Sequence, residues 1–329
     1  MNITIIGYGN LSHGLISWLG SKKSNSIFVL TSTQKKTPVV IESCDSNGNF
    51  MYKGVVSKIE SNPELVIPNR DMLIFTVPIF ERESRVRKIS KFVSKGTIIG
   101  FFPGVGDVEG LYYKYFLSSN VQVFSAQRSP LIARILCKNS KVEITLKDSM
   151  KVATFPPDKK MKNVLSELFG MKTYNLNSIL ETSLSNSNPI LHTSRMYTMF
   201  KEGKKYNHIP YFYKDWDNES SIMLFKMDSE FMLIVNKLKL ENVVSLQNYY
   251  QADTVDLMTK KISTIAAFKN IKTPMKKNGG TYILDVNSRY FTEDLLVGLA
   301  YIKKYALDLN IDTPCIDKVI NWAGSYSAK

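Results

Sequence analysis

The sequence lacks any uninterrupted apolar run of about 18 residues, the length that a membrane-spanning helix requires. The first predicted strand begins at Asn2, so we expect no secretory signal peptide before it. Cysteine is scarce, and Cys44, Cys137 and Cys315 lie far apart, without the spacing of a disulfide framework or a zinc site. These absences predict a cytoplasmic protein without membrane contact, disulfides or a bound metal.

Acidic residues are in short supply: 29 aspartates and glutamates stand against 43 lysines and arginines, which leaves a formal net charge of +14. A positive field attracts nucleic acid, anionic membrane surfaces or small anions. The lysines are scattered in ones and twos, without an arginine-rich arm, a zinc finger or an aromatic segment that could bind RNA bases. We therefore expect small anionic substrates as partners, and neither nucleic acid nor a membrane.

At 329 residues the chain exceeds the size at which one hydrophobic core usually stops growing, so two domains are expected. Short apolar runs separated by possible crossover segments predict an α/β domain over residues 1–178, with a doubly wound parallel sheet of the Rossmann type. Its strands are expected at residues 2–6, 26–31, 72–76, 97–101, 121–124, 142–147, 151–155 and 173–177.

Residues 179–329 show helical periodicity, which predicts an all-helical second domain. Its helices are expected at residues 179–200, 219–240, 253–267, 292–309 and 313–323. Two stretches, 206–217 and 271–281, are predicted to be flexible.

Residues 7–14 (GYGNLSHG) form a glycine turn between the first predicted strand and the first predicted helix, where a dinucleotide pyrophosphate would meet a helix N-terminus. Gly7 permits the tight turn, Gly9 allows the backbone to approach the phosphates, and the small Ser12 allows close packing of helix and strand. A purely structural turn is the alternative. The predicted cofactor-binding residues here are Gly7, Gly9, Asn10, Leu11 and Ser12.

No carboxylate follows the second predicted strand. In NAD-specific sites an Asp or Glu at this position binds the ribose 2′-hydroxyl, and it would repel a 2′-phosphate. Hydroxyl groups and cations follow Leu30 instead, which predicts NADP(H) in preference to NAD(H), although a solvated lysine-rich loop would have the same composition. The predicted residues are Thr31, Ser32, Thr33 and Lys35.

Two further turns, at residues 76–78 (TVP) and 103–106 (PGVG), follow predicted strands at the sheet edge where the nicotinamide end of the cofactor is expected. We predict cofactor contacts from Val77 and Pro78. Turns that merely end a strand are the alternative.

Histidine is also scarce, with three in the chain. His13 follows the glycine turn, and His208 lies in an aromatic loop. His192 ends the segment NPILH, in which Asn188 suits a helix N-cap and Pro189 the first helical position. His192 is therefore expected in the first turn of a helix.

A pair of carboxylates is expected at the start of another helix, in the segment SRYFTED (residues 288–294). Thr292 is the predicted N-cap, so Glu293 and Asp294 would lie in the first turn, where a negative charge complements the helix dipole. A neighbouring carboxylate is also what a catalytic histidine needs.

Together GYGNLSHG, NPILH and SRYFTED, with TPCID at residues 313–317, resemble the octopine/nopaline (opine) dehydrogenase family, whose members join an amino acid to a 2-oxo acid and reduce the resulting imine with NAD(P)H. The resemblance spans nearly the whole chain, and NPxxH and RYxxED are its most specific parts. It implies an oxidoreductase acting on a CH–NH bond, with a Rossmann domain at residues 1–178 and a helical domain of the 6-phosphogluconate-dehydrogenase-like type at residues 179–329.

The same resemblance implies that His192 is the acid/base and that Asp294 is the carboxylate that orients it. Arg289 is the matching position for a cation that binds a substrate carboxylate, and Arg134 is a second candidate, for which a surface ion pair is the alternative. Arg134 ends the segment SPLIAR, which resembles a family loop ending in Cys-Arg. Ala133 replaces that cysteine here, so the amino acid substrate stays open.

Two other functions are alternatives. A ketopantoate-reductase-like 2-hydroxy acid oxidoreductase would share the fold and cofactor but would need a catalytic lysine on the first helix of the second domain, and residues 179–200 contain none. A non-catalytic NADP(H)-binding regulatory protein would not need His192, Arg289 and Asp294 together. A homodimer is possible, since helical domains often expose apolar helix faces.

Overall fold

A computed structural model describes residues 1–32 and 37–327 of the chain. The chain divides into two compact units, Met1–Ser183 and Leu184–Lys329. Two residues predicted to bind the cofactor, Thr33 and Lys35, lie outside the described residues. None of the described helices is long and apolar enough to cross a membrane.

Eleven strands of the described chain form one sheet in the first unit. In chain order they are β1 (Asn2–Ile6), β2 (Ser26–Leu30), β3 (Val39–Cys44), β4 (Phe50–Glu60), β5 (Met72–Phe75), β6 (Ile98–Phe101), β7 (Gln122–Ala126), β8 (Leu131–Cys137), β9 (Lys141–Leu146), β10 (Ser149–Phe155) and β11 (Lys172–Asn175). The middle of the sheet has Rossmann order, because β7, β6, β5, β1, β2 and β4 are parallel neighbours in that sequence. The predicted parallel sheet is confirmed.

Helices cover both faces of this sheet, as a doubly wound fold requires. They are α1 (Asn10–Leu19), α2 (Ile79–Ile89), α3 (Val108–Tyr115) and α4 (Met161–Phe169), with α5 (Ile179–Leu184) leading into the second unit. Apolar side chains of α1 and α4, among them Trp18 and Phe169, form one core cluster. Those of α2 and α3, among them Val86 and Tyr112, belong to a separate cluster.

Three strands of the first unit were missed by sequence reasoning: β3, β4 and β8. Strand β4 alternates buried and exposed residues instead of forming an apolar run, as half-buried strands do. Strand β8 replaces the loop expected around Arg134. It pairs antiparallel with β9, and its alternation leaves Ile132 and Arg134 exposed while Leu131 is buried.

The second unit is helical, as predicted. It contains α6 (Asn188–Phe200), α7 (Asn218–Lys237), α8 (Leu246–Tyr250), α9 (Val255–Ser263), a π-helix (Tyr290–Leu299) that continues as α10 (Ala300–Asp308), and α11 (Pro314–Ser327). Residues 271–281 were expected to be flexible, but most of this stretch belongs to a hairpin of β12 (Met275–Asn278) and β13 (Thr281–Leu284). Gly279 and Gly280, both at positive φ, form its two-residue turn.

The single helix expected over residues 179–200 is two helices, α5 and α6. Residues 185–187 between them are non-helical, and Pro189 lies in the first turn of α6, where its missing N–H costs no helical hydrogen bond. The predicted cap is also wrong. Asn188 is the first helical residue, and its N–H donates to Oδ1 of Asn186 at 3.2 Å.

A buried carboxylate connects two helices of the second unit. Asp228 of α7 is 2% exposed, and its Oδ2 accepts a 2.8 Å hydrogen bond from the backbone N–H of Leu246 at the start of α8. Burial raises the pKa of Asp228 to about 6, against the lowering effect of the backbone N–H groups of Leu246 and Gln247. The folded state therefore favours the protonated carboxyl, and ionisation destabilises the fold.

Replacing Asp228 by asparagine should stabilise the protein at pH 7.5 and have little effect at pH 4. The folded-state pKa of about 6 exceeds the ordinary value of 3.8, so the contribution of the protonated group is complete below pH 3.8 and is lost as the pH rises through about 6. The difference corresponds to about 3 kcal/mol in the free energy of unfolding. Urea unfolding of wild type and Asp228→Asn at both pH values measures it.

The matched control is Asp308→Asn, which changes an exposed carboxylate of the same unit. It should show no comparable gain at pH 7.5. If Asp228→Asn were no more stable than wild type at pH 7.5, the carboxylate would be well accommodated in its charged form, contrary to this prediction.

Candidate active site

The tight turn after β1 depends on Gly7. Its φ is +117°, and a Cβ added there would lie 2.6 Å from Thr76 Oγ1. Its N–H donates to the carbonyl of Leu30, at the end of β2, at 2.9 Å. A side chain is therefore excluded at Gly7 by both backbone conformation and space.

A chain of hydroxyl groups joins the carboxyl ends of β1 and β5, where the strand order of the Rossmann sheet reverses. Thr76 Oγ1 donates to the carbonyl of Ile6 at 2.9 Å, and it lies 2.8 Å from Ser12 Oγ. Ser12 Oγ in turn accepts the N–H of Gly9 at 3.2 Å. Ser12 thus holds the start of α1 as well as permitting close packing.

Space for a ligand is found at Gly9. A Cβ added there would meet no atom within 4 Å, and Gly9 lies at the N-cap of α1, whose first turn contains no acidic residue. A helix N-terminus with open backbone amides suits a pyrophosphate. The Asn10 side chain has another task, since its Oδ1 accepts the N–H of Ile135 in β8 at 2.9 Å, and Leu11 is half-buried.

The end of β2 presents hydroxyl groups to the surface. Thr31 is half-buried and Ser32 is exposed. The N–H of Thr31 donates to the backbone carbonyl of Glu60, which ends the neighbouring strand β4. The carboxylate of Glu60, which sequence reasoning did not consider, lies 3.5 Å from Lys58 Nζ.

Of the two predicted nicotinamide-side turns, the first leads directly into α2, with Val77 buried and Pro78 exposed. The second, the loop at residues 103–106, is held by side chains. Arg82 donates to its first and third carbonyl oxygens, and Ser183 Oγ lies 3.2 and 2.9 Å from its second and fourth. Each of the four carbonyl oxygens of this loop thereby has a side-chain donor atom within hydrogen-bond distance.

In the second unit the structure brings His192 and Asp294 together. Nδ1 of His192 lies 2.7 Å from Oδ2 of Asp294, and both residues are buried. An ionised carboxylate accepts the Nδ1–H proton, so the neutral imidazole presents Nε2 as an acceptor. This arrangement holds the ring in one tautomer and orientation, as acid/base catalysis requires.

A third group, Tyr213, lies against the other ring nitrogen. Its hydroxyl is 2.7 Å from Nε2 of His192, and it is itself buried. Burial raises the pKa of Tyr213 far above its ordinary value, with further raising contributions from Tyr290 and Asp294, so the phenol keeps its proton. Sequence reasoning missed Tyr213, and the aromatic richness of residues 206–213 was the one signal for it.

Aromatic rings surround the imidazole. Tyr290 stacks on His192 with ring centroids 4.1 Å apart, and Phe212 meets it edge-on at 5.7 Å. The hydroxyls of Tyr290 and Tyr213 lie near each other, and Tyr290 contributes to the raised pKa of Tyr213. The His192 imidazole is thus packed between aromatic side chains, and each of its two nitrogens has a polar contact.

Close approach of two helices makes this geometry possible. A Cβ on Gly298 of the π-helix would lie 2.5 Å from Cγ of Pro189 in α6. The absence of a side chain at Gly298 lets the backbone of the π-helix contact the first turn of α6. That contact lies close to both His192 and Asp294 in sequence, so it helps to set the distance between them.

The segment that carries Tyr213 is anchored to α6 by a buried arginine. Arg195 donates to the Asp217 carboxylate, the Asp215 carbonyl and the Ser220 hydroxyl at 2.5, 2.5 and 3.0 Å. Arg195 lies one turn beyond His192 on the same helix. The predicted flexible stretch 206–217 is therefore packed, with Tyr213 and two other aromatic residues, Phe212 and Trp216, buried.

The predicted cation Arg289 projects from the start of the π-helix. Its side chain is 81% exposed, and its Nε and Nη2 donate to the two carboxylate oxygens of Glu293 at 3.0 and 2.8 Å. Thr292 is not the N-cap that sequence analysis predicted, because the helix starts earlier, and Thr292 Oγ1 donates to the Ser288 carbonyl within the first turn. Arg134 is exposed on β8, in the first unit.

The other two histidines have different surroundings. His13 is buried in α1, its Nδ1 lies 2.9 Å from the carbonyl of Gly9, and its Nε2 accepts the N–H of Asn139. His208 is exposed. Within residues 1–32 and 37–327 no group of three His, Cys, Asp or Glu side chains could hold a metal ion.

Comparison with known proteins matches both halves of the chain. The model of the NAD/NADP octopine/nopaline dehydrogenase α-helical domain matches residues 175–327. Tauropine dehydrogenase from Arabella iricolor is 26% identical over an alignment that covers 99% of this chain and 91% of the relative.

Two solved structures share the fold. Octopine dehydrogenase with NADH and L-arginine has a TM-score of 0.87 at 21% identity, covering 100% of this chain and 90% of that one. Yersinopine dehydrogenase with NADP⁺ bound has a TM-score of 0.72 at 11% identity, covering 99% of this chain and 90% of that one.

Alanine substitutions at the two turn glycines should have opposite consequences. Gly9→Ala should leave the Tm within a degree or two of wild type, because the added Cβ meets nothing, but should weaken binding of NADH or NADPH at least ~10-fold by entering phosphate space. Gly7→Ala should lower the Tm, because it combines a positive φ with a clash against Thr76. Thermal unfolding and nicotinamide fluorescence titration measure the two effects. Undiminished affinity for both dinucleotides in Gly9→Ala would argue against a phosphate site at this turn.

Proposed function

We propose, from the similarity of this chain to the octopine/nopaline (opine) dehydrogenases, that it catalyses the reductive condensation of a 2-oxo acid with an amino acid, with NADPH as the hydride donor. An opine-type dehydrogenase is an oxidoreductase acting on a CH–NH bond. The observation that carries the proposal beyond the family is the buried His192, held by Asp294 at Nδ1 and bonded to the Tyr213 hydroxyl at Nε2.

In the proposed reaction His192 acts first as a base. It takes a proton from the ammonium group of the amino acid, and the freed amine attacks the carbonyl carbon of the oxo acid to give a carbinolamine. His192 then returns the proton to the carbinolamine hydroxyl, which leaves as water. The bound cofactor supplies the hydride that converts the resulting iminium carbon to the product amine.

Asp294 acts through His192. Its carboxylate accepts the Nδ1 proton, fixes which nitrogen faces the reaction and stabilises the imidazolium that exists while His192 carries the transferred proton. Burial strengthens this effect, since both side chains are largely removed from water.

The substrates of this reaction carry carboxylates, and we propose Arg289 as the main group that binds one. Glu293 holds the guanidinium through Nε and Nη2, which orients the Nη1 side towards a ligand. Arg134 is the second proposed contact. The net charge of +14 favours anionic substrates in general.

For the cofactor we propose Gly7, Gly9, Asn10, Leu11 and Ser12 around the pyrophosphate, with Val77 and Pro78 towards the nicotinamide. Thr31, Ser32, Thr33 and Lys35 would bind the 2′-phosphate. NADP(H) is proposed over NAD(H) because hydroxyl groups and cations follow β2, whereas NAD-specific sites have a carboxylate there.

Introducing a carboxylate at Thr31 should reverse the cofactor preference. We expect wild type to bind NADPH at least ~10-fold more tightly than NADH, and Thr31→Asp to lose NADPH affinity by a similar factor through repulsion of the 2′-phosphate, with NADH affinity unchanged or improved. Thr31→Asn is the uncharged control of the same size and should keep the wild-type order. Equal binding of both cofactors by wild type would count against the 2′-phosphate proposal.

Activity should require both substrates and His192. We expect NADPH oxidation by wild type with a 2-oxo acid and an amino acid together, and a loss of kcat of ~10²-fold or more in His192→Ala, because general acid/base catalysis contributes about that much. His208→Ala is the matched control, since it removes an exposed histidine of the same unit. A panel of oxo acids, alone and paired with amino acids, measures both effects.

Other outcomes would identify a different function. Turnover with an oxo acid alone would favour the 2-hydroxy acid oxidoreductase, although residues 179–200 hold no lysine. Tight NADPH binding with no turnover on any pair would favour a regulatory protein.

A further inference from the structure

We infer that the hydroxyl groups of Tyr213 and Tyr290 extend the Asp294–His192 pair into a proton relay, and that the proton exchanged with the substrate passes through them. The inference rests on the reaction proposed above. It adds two residues to the proposed chemistry. Tyr213 lies outside the motifs of the family resemblance, and Tyr290 lies within SRYFTED but has no role assigned above.

Nε2 of His192 already has a hydrogen-bond partner. Nδ1 is bonded to Asp294, and Nε2 lies 2.7 Å from the Tyr213 hydroxyl. A ring nitrogen offers one proton or one lone pair, so a substrate cannot use Nε2 directly while Tyr213 is in place. His192, Asp294 and Tyr213 are all buried residues.

A second phenol lies against the imidazole. The ring of Tyr290 stacks on His192 at 4.1 Å, and its hydroxyl lies near that of Tyr213, whose pKa it helps to raise. Among these four residues Tyr290 is the one that is half-buried and not buried. The order Asp294, His192, Tyr213, Tyr290 therefore runs from the interior of the second unit to its surface.

Proton balance along this chain is simple. When His192 is protonated, Nε2–H is given to Tyr213 while Tyr213 passes its own proton to Tyr290, and Tyr290 passes its proton to the carbinolamine hydroxyl. One proton leaves the imidazolium, one arrives at the substrate, and both phenols end neutral. Burial raises the pKa of Tyr213, which disfavours a free phenolate and favours concerted transfer.

The surroundings hold Tyr213 in this role. Its ring stacks on Phe268 at 4.6 Å and meets Phe212 edge-on at 5.1 Å, and Arg195 anchors the segment that follows. A phenylalanine at position 213 would keep these ring contacts and remove the hydroxyl alone. Tyr213→Phe is therefore a conservative test of the relay.

The experiment compares Tyr213→Phe, Tyr290→Phe and the double variant with wild type under the two-substrate assay. We expect kcat to fall ~10²-fold in each single variant, with the Kd for NADPH unchanged, and the double variant to be no slower than the slower single one, because two links of one chain are not additive. A proton inventory in mixtures of H₂O and D₂O should be curved for wild type, as for several protons in flight, and should lose that curvature in Tyr213→Phe.

The control is Tyr206→Phe, which removes a hydroxyl that donates to the Met199 carbonyl in the same unit. It should keep the wild-type kcat and a curved proton inventory. Thermal unfolding of all variants checks that each is folded at the assay temperature.

A spectroscopic measurement tests the contact without turnover. With three histidines in the chain, the ¹⁵N signals of His192 can be assigned by their absence in His192→Ala. We expect the neutral ring to carry its proton on Nδ1, and the Nε2 signal to move downfield in Tyr213→Phe as it loses a hydrogen-bond donor. An unmoved signal would overturn the relay.

Three activity results would also overturn it. A wild-type rate in Tyr213→Phe or Tyr290→Phe would show that the hydroxyl is not used, while leaving the proposed reaction intact. A faster Tyr213→Phe would show that Tyr213 covers His192 and must move aside. Inactivity of wild type with every substrate pair would refute the proposed reaction itself, and the relay with it.

Discussion

The second unit depends on the burial of a single imidazole ring whose two nitrogens are both hydrogen-bonded. A buried polar group without partners costs a few kcal/mol, so the segments that satisfy it cannot be displaced cheaply. His192 comes from α6, Asp294 from the π-helix and Tyr213 from the irregular chain between α6 and α7. Three segments that are distant in sequence are thus tied to one point, and the contacts that stabilise the fold there are also the ones that position the proposed acid/base.

Small residues permit this arrangement in both units. Gly298 lets the π-helix contact Pro189, and Gly7 lets the turn after β1 pass beside Thr76. In each case a side chain would separate two elements whose ends carry functional groups. The constraint is steric, but its consequence is chemical, because hydrogen bonds of 2.7 to 2.8 Å form only when the elements approach this closely.

Several charged groups of the second unit stabilise one another. Arg195 satisfies Asp217 in the anchor behind Tyr213, and Glu293 orients Arg289 at the start of the π-helix. The exposed Arg289 is the group proposed to bind an anionic substrate. Glu293 orients its guanidinium, whereas Asp294 is hydrogen-bonded to His192. Adjacent carboxylates on one helix thereby serve different functions, because each side chain contacts a different neighbour.

The sequence by itself determined the first βα unit, the parallel sheet, the helical second half and, through the family resemblance, the pairing of His192 with Asp294. These follow from local patterns: a glycine turn after an apolar strand, the two periodicities, and short motifs at helix starts. Sequence patterns did not predict strands β3, β4 and β8 or the hairpin of β12 and β13, because half-buried strands have no continuous apolar run. The contact of Tyr213 with His192 was not predicted for a different reason. Tyr213 lies 21 residues after His192, and only the packing of α6, the π-helix and the segment anchored by Arg195 brings its hydroxyl to Nε2, a distance that no local pattern encodes.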